Sequence, residues 1–171
     1  MKLSSIPNFR EMLADYSVAV LVTHRAGNGT PFRSRPMAIA RVDENCDLWF
    51  ITSEESAKVH EIEADTRVHV ICQDGHSNCL TISGRASLSH DRNTIQRLWK
   101  PTFKPWFPEG ENDPAIVLIH VLGEHGEFWD SQGLNGIKDA FQAVKAAITG
   151  TTPQVEEGQQ HGEVDLRYEG R

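Results

Sequence analysis

The sequence predicts a mainly β domain in which about six strands, paired chiefly antiparallel, close into a small barrel with helices inserted or appended. Three observations lead there. Short runs rich in β-branched and aromatic residues recur between turn clusters, the pattern of hairpin-linked strands. Leu80, Ile82, Gly84, Ala86 and Leu88 alternate with Thr81, Ser83, Arg85, Ser87 and Ser89, a period of two that marks a long strand with one wet face. No strand–helix–strand alternation runs along the chain and GxGxxG is absent, which excludes a Rossmann domain. A barrel is the economical closure because it leaves few edges exposed.

The elements follow in order. Phe9, Met12, Leu13 and Tyr16 recur at helical spacing after Pro7, so a short amphipathic helix opens the chain. Val18 to Thr23 reads as a strand, Ala26-Gly27-Asn28-Gly29 as a hairpin turn, and Phe32 to Val42 as the returning strand. Pro36 cannot donate to a ladder and is expected at an edge, a bulge or an irregular point. A turn from Asp43 to Asp47 leads to a strand over Leu48 to Thr52, and residues 57 to 62 are in helical register. Arg67 to Cys72 is a strand, Gln73 to Asn78 a turn, and the alternating strand follows. Asp91 caps a helix running to Leu98 and Trp99. Pro101 to Pro114 is a loop holding Trp106 and Phe107, large apolar groups that call for cover. Ala115 to Leu122 is an apolar strand that Glu127-Phe128-Trp129 continues or re-enters. Ile137, Ala140, Phe141, Val144 and Ile148 line one face of a last helix closed by Gly150.

The chain has 171 residues, enough for one domain with a real core. Seventeen Lys+Arg against twenty-four Asp+Glu leave a net charge of −7, so nucleic acid and anionic membrane, which need a basic surface, are not expected partners. Apolar runs such as Val18 to Val22 are strand-sized, too short to cross a bilayer as a helix. No apolar signal core follows Met1, and Cys46, Cys72 and Cys79 form no CxxC pair, so reduced thiols and a cytoplasmic protein are expected.

Three features could carry chemistry. In an extended Arg33-Ser34-Arg35-Pro36-Met37, the two arginines and Met37 share one side, with guanidinium groups about 7 Å apart. Such a pair can flank an anion or a flat polar ring, or simply charge an edge strand. Thr52-Ser53-Glu54-Glu55-Ser56-Ala57-Lys58 runs from a strand end into a helix start with three hydroxyls and an ammonium, which suits a phosphate. The same residues can serve as an ordinary cap, and Glu54 and Glu55 repel a phosphate unless they point away. Trp49, Trp99, Trp106 and Trp129 can fill core, or cover a flat ligand or an interface. His60-Glu61 lacks the second histidine of HExxH, and His120 and His125 have the wrong periodicity for one strand face, so no metal site is expected. GxSxG, a P-loop and paired carboxylates are absent, so hydrolase chemistry is not indicated.

Along the chain stand Ser34-Arg35-Pro36-Met37, then Leu48-Trp49-Phe50-Ile51-Thr52 with Ser56-Ala57-Lys58-Val59, then Leu80-Thr81-Ile82-Ser83-Gly84-Arg85-Ala86. Leu98-Trp99 with Trp106-Phe107-Pro108, Glu127-Phe128-Trp129-Asp130 and a closing His161-Gly162-Glu163-Val164-Asp165-Leu166 complete the series. That order and spacing resembles the general stress protein family of flavin-binding split barrels, relatives of pyridoxamine 5′-phosphate oxidase, from about Ile6 to Leu166.

The resemblance implies a six-stranded antiparallel split barrel, homodimeric, with FMN (FAD is the alternative) at the subunit interface. Residues 1–150 would form the flavin-binding domain and 151–171 a polar tail, partly docked. Arg35, Pro36 and Met37 would lie along the isoalloxazine, partly through backbone groups, and the Arg35 cation would stabilise reduced flavin. Ser34 is a weaker candidate because its side chain faces away. Thr52, Ser53, Ser56 and Lys58 would hold the phosphate, and Trp99, Trp106 and Trp129 would shape the pocket or the dimer seam. The function implied is a flavin-dependent oxidoreductase of a stress response with an unknown small-molecule redox partner. Alternatives are a non-catalytic flavin-binding or storage protein, and a barrel using the deazaflavin F420 or haem. Val155 to Glu163 is acidic where a pyridoxamine phosphate oxidase has a basic substrate segment, so vitamin B6 oxidation is not expected. No residue is assigned as a catalytic acid or base.

Overall fold

In the computed structural model, which describes residues 6–25, 31–73, 78–129 and 161–167, the order is α1 (Ile6–Ala14), β1 (Val18–His24), β2 (Phe32–Val42), β3 (Leu48–Ser53) and α2 (Ala57–Ala64). Then come β4 (Arg67–Gln73), β5 (Cys79–Ser89), α3 (Arg92–Leu98), β6 (Ile116–Trp129) and β7 (His161–Asp165). The 26–29 turn, most of the 73–78 turn, the helix expected over 137–150 and the first part of the tail lie outside the described residues. Among the described residues no helix is long and apolar enough to cross a membrane.

All strand pairings are antiparallel, in the order β3-β2-β1-β4-β5-β6, and pairing of β3 with β6 closes the six strands into a barrel. β7 lies outside the closed ring, hydrogen-bonded to the far half of β6. Fourteen-residue β6 makes this possible, because its first part, Ile116 to Val121, pairs with β3 and its last part, His125 to Trp129, with β7. Of the two expectations for Glu127-Phe128-Trp129, continuation holds, and β6 runs unbroken from Ile116 to Trp129.

One extra residue changes the phase of β6. Ser83 faces His125 and Gly84 faces Gly123, so Glu124 has no opposite number on β5. This is a β-bulge. Alternation alone puts His120 and His125 on opposite faces. The bulge turns both outward, opposite Ser87 and Ser83 on the outer side of β5, and corrects the sequence reading. Asp47 ties the β2–β3 turn to this irregularity, since its buried carboxylate accepts the Gly123 N–H at 3.2 Å.

Alternation along β1, β4 and β5 supplies the core. Leu21, Val70, Leu80 and Ile82 are fully buried inside the barrel with Phe50 and Phe128. The helix α1 adds Phe9 and Leu13, and the Phe9 ring lies over Gly126, where a Cβ would meet its Cζ at 2.5 Å. A second cluster forms on the outer face of β3 and β6, where Ile51, Ile116 and Leu118 meet Ile95 and Leu98 of α3 with Phe103 and Phe107 from the following loop. Asp91 caps α3 as expected, accepting the Asn93 and Thr94 N–H groups. The guanidinium of Arg92 holds the loop by donating to the carbonyls of Asp113 and Pro114 at 2.9 and 3.3 Å.

The helix α2 is docked differently, through a buried acid. Glu61 lies between Val59 and Ile62 and is 8% exposed. Its carboxylate accepts from the fully buried Thr23 hydroxyl of β1 and from Arg35 of β2 at 2.6 Å, with Arg33 at 3.6 Å. Arg35 also donates to Thr23 at 2.7 Å. Burial pushes the Glu61 pKa upward, but the hydrogen bonds from Thr23 and Arg35 and the charges of both arginines outweigh it, so the carboxyl sits below its ordinary value.

Two outcomes follow from this packing. A Cβ on Gly84 would stand 2.0 Å from the Leu122 carbonyl oxygen. Gly84→Ala is therefore expected to prise β5 from β6 at about 1–3 kcal/mol and lower the melting temperature by several degrees, while Ser87→Ala on the outer face changes little. Equal melting temperatures for Gly84→Ala and the parent would contradict so close an approach. Glu61→Gln is expected to lose about 3 kcal/mol at neutral pH, because it leaves a guanidinium buried against a neutral group. The carboxylate's folded pKa is lowered, so its stabilisation is present above the ordinary pKa and fades as pH falls through the lowered one. Chemical denaturation from pH 7 to pH 3 should thus show the variant's deficit shrinking with acid. A constant deficit would mean the ion pair is not its source.

Candidate functional site

Unequal strand lengths open the site. β2 pairs with β1 from Phe32 to Ala38, but with β3 only from Ile39 to Val42. No described strand covers the other edge of β2 between residues 32 and 38. Pro36 sits there, opposite Val20, where its missing N–H breaks no ladder bond to β3. The Lys100 ammonium reaches the Ile39 carbonyl at 3.4 Å, at the point where the edge becomes paired.

Beside this edge lies a cavity of ≈ 380 Å³. Pro36, Met37 and Ala38 form one wall, and Ile51, Thr52 and Ser53 at the end of β3 form another. Phe103, Trp106 and Phe107 of the loop after α3 stand over it. Phe107 is buried, whereas Trp106 is 71% exposed, so among the described residues only one of the two loop aromatics finds cover.

The polar end is built where β3 runs into α2. Lys58 Nζ donates to Thr52 Oγ1 at 2.9 Å, and Thr52 Oγ1 lies 3.3 Å from Ser56 Oγ. Ser56 occupies the N-cap position, yet its side chain makes no capping bond and turns to Thr52. The Val59 N–H donates to the Ser56 carbonyl at 2.9 Å, and the Ala57 and Lys58 amides before it begin the helix, where intrahelical partners are lacking by geometry. Burial lowers the Lys58 pKa, and the positive charge of Arg35 lowers it further against the opposing pull of Glu61. An ammonium held this way gains from any anion that joins it. Neither Glu54, whose carboxylate turns to His90, nor exposed Glu55 lines the cavity.

The structure therefore brings Pro36, Met37, Thr52, Ser53, Ser56, Lys58 and Trp106 to one cavity. Ser34 points outward and is exposed, on the face opposite Arg35. The Arg35 guanidinium is engaged by Glu61 and Thr23, so its side chain acts on α2 and does not line the cavity. Trp99 packs into the second cluster against the rings of Phe103 and Phe107, at 5.9 and 6.2 Å, and supports the cavity from behind. Trp129 lies at the far end of β6, stacked on His161, twelve residues (129 − 117) beyond the Val117 that pairs with Thr52. Within one chain it does not reach the cavity. Sequence reasoning missed Glu61 and Thr23. The available signal was an acid in the apolar register of α2, one turn from Lys58.

Comparison with known proteins bears on this arrangement. Residues 4–154 match the family model described as pyridoxamine 5′-phosphate oxidase like. Protein bli-3 of Neurospora crassa is 29% identical over 98 residues, 52% of this chain and 47% of that protein, so the chain spans about half of that relative. General stress protein 26 of Bacillus subtilis is 26% identical over 112 residues, 61% of this chain and 79% of that protein. The structure of the general stress FMN/FAD binding protein from Xanthomonas citri superposes with a TM-score of 0.61 at 24% identity, covering 75% of this chain and 89% of that one, and shows the shared fold. With the family model matched across the whole described barrel, the chain belongs to the pyridoxamine 5′-phosphate oxidase-like family.

Proposed function

We propose that the chain binds FMN in the cleft between β2 and β3 and uses it to exchange reducing equivalents with a small molecule in a stress response. The observation that carries this reading is the Lys58–Thr52–Ser56 cluster at the start of α2, facing an unpaired backbone edge across an aromatic-roofed cavity. A flavin fits those features. Its dianionic phosphate suits an ammonium with two hydroxyls and a helix start, and its flat ring suits apolar walls with free backbone donors and acceptors. Bound flavin supplies the electron or hydride transfer, while the protein supplies position and electrostatics. Among the described residues Lys58 is the one titratable side chain lining the cavity, which agrees with chemistry residing in the cofactor. The Xanthomonas citri neighbour, described as binding FMN or FAD, supports the same ligand class.

The site is completed by a second copy in this reading. The outer face of β1 carries Val18, Val20 and Val22, alternating with buried Ala19, Leu21 and Thr23, and Val18 is 51% exposed. A wet sheet face ordinarily presents polar residues, so three valines favour an interface. Trp106 is exposed at the cleft mouth and Trp129 at the far end of β6, where a homodimer gives both something to cover.

The phosphate end is tested by titrating two ligands. Lys58→Ala is expected to weaken FMN about 10- to 150-fold, the worth of a charge-assisted hydrogen bond, and to leave riboflavin unchanged. An equal loss for both ligands would withdraw the phosphate assignment. A yellow protein with a flavin absorbance spectrum is expected on purification, and a haem or deazaflavin spectrum would replace FMN. Flavin reduction by NAD(P)H no faster than with free FMN would favour a storage role over an enzyme.

The shared site makes a separate prediction. Trp106→Ala is expected to weaken both dimerisation and flavin retention, read by sedimentation velocity and by flavin absorbance. A clean monomer with full flavin occupancy in the unmodified protein would sink the shared site.

A further inference from the structure

We propose a divalent transition-metal site on the outer face of β6 and β7, formed by Glu127, His161 and Glu163 with His125 beside them. The ligand atoms of Glu127, His161 and Glu163 all lie within 4.8 Å of one another. Glu127 turns one oxygen to each histidine, Oε2 at 3.7 Å from His161 Nε2 and Oε1 at 3.7 Å from His125 Nε2. Those separations are too long for hydrogen bonds. They are close to the spacing of about 3.3 Å between ligands that each stand roughly 2.0–2.2 Å from a common tetrahedral ion.

Two further features point to a missing ligand. Among the described residues the buried His161 Nε2 has no hydrogen-bond partner, an unusual condition for a polar nitrogen that His120 Nε2 shares. The imidazole ring is stacked on Trp129, with centroids 5.0 Å apart and planes 21° from parallel, which holds Nε2 toward Glu127. Imidazole nitrogens with carboxylate oxygens suit zinc, cobalt or nickel better than the harder magnesium or calcium. The set is invisible to linear spacing because the Glu124 bulge is what brings His125 to the outer face, and β7 comes from distant sequence.

The other described cluster, Asp43, Asp47 and His120, shares the orphaned imidazole nitrogen and an indole stack, on Trp49, but its carboxylates are committed to the β2–β3 turn. Asp43 Oδ1 accepts the Asn45 and Asp47 N–H groups, and Asp47 Oδ1 accepts that of Gly123. The proposed site stands apart from the flavin cleft along β6 and does not rest on the flavin reading.

The test uses the full chain and zinc alone. Calorimetric titration is expected to show one Zn²⁺ per chain, with affinity reduced about tenfold or more by His161→Ala and by Glu127→Gln. His120→Ala is expected to leave it unchanged. Paramagnetic Co²⁺ is expected to quench tryptophan emission, with most of the quenching lost in Trp129→Phe while zinc affinity persists. The proposal is overturned by absence of stoichiometric binding, or by affinity that survives both ligand substitutions. It is also overturned by a cobalt spectrum dominated by thiolate charge transfer, which would place the ion on Cys79.

Discussion

Burying the Glu61 carboxylate under α2 is unfavourable unless positive charge and hydrogen-bond donors meet it, and β1 and β2 supply both through Thr23, Arg35 and Arg33. The consequence reaches beyond one ion pair. Lys58 stands three residues before Glu61 on the same helix, so whatever orients Glu61 also orients the ammonium at the cleft. Ser56 and Thr52 follow, since the helix begins directly after β3. The two arginines that resembled an external anion site thus bind an internal anion, and they shape the cleft by fixing the helix that borders it.

The cleft itself is a product of mismatch between strands. β2 has eleven residues and β3 six, so β3 leaves part of the β2 edge unpaired once the bulge between Ile39 and Arg41 has shifted the register. A long edge in water invites other chains, and here proline, the loop aromatics and the start of α2 crowd around it. β6 shows the same principle at the other end of the molecule. It outruns β3 and uses its remaining length to pair with β7, which splits the sheet after the ring has closed. Both candidate sites lie where a strand extends past its partner.

Much of the fold was legible in the residues. The span expected for β2 coincides with the observed strand, β5 alternates as its pattern of two requires, and Asp91 caps α3. These features rest on local chemistry: β-branched side chains on a pleat, and a short acid ahead of a helix. The site was legible in part. Pro36, Met37, Thr52, Ser53, Ser56 and Lys58 converge because the open edge of β2 lies beside the end of β3 and the start of α2, whereas the three candidate tryptophans could not be told apart. One covers the cleft, one supports it from the second cluster and one stacks on a histidine far along β6. An indole offers the same apolar surface in all three settings, so its residue type does not choose among them.

By itself the sequence determined where strands and helices begin, which faces are apolar, and that hydroxyls and a lysine gather at one helix start. It did so because periodicity, turn chemistry and capping act over a few residues. Tertiary structure alone decided that Arg35 belongs to Glu61, that Glu54 turns to His90 and does not line the cleft, and that one unpaired residue at Glu124 reverses the facing of β6. Those outcomes depend on which charges and strand edges meet across tens of residues. Side-chain pairing and register are settled by the whole barrel's closure, because a carboxylate takes the nearest cation that burial allows and a bulge forms where one strand carries an extra residue between two paired stretches.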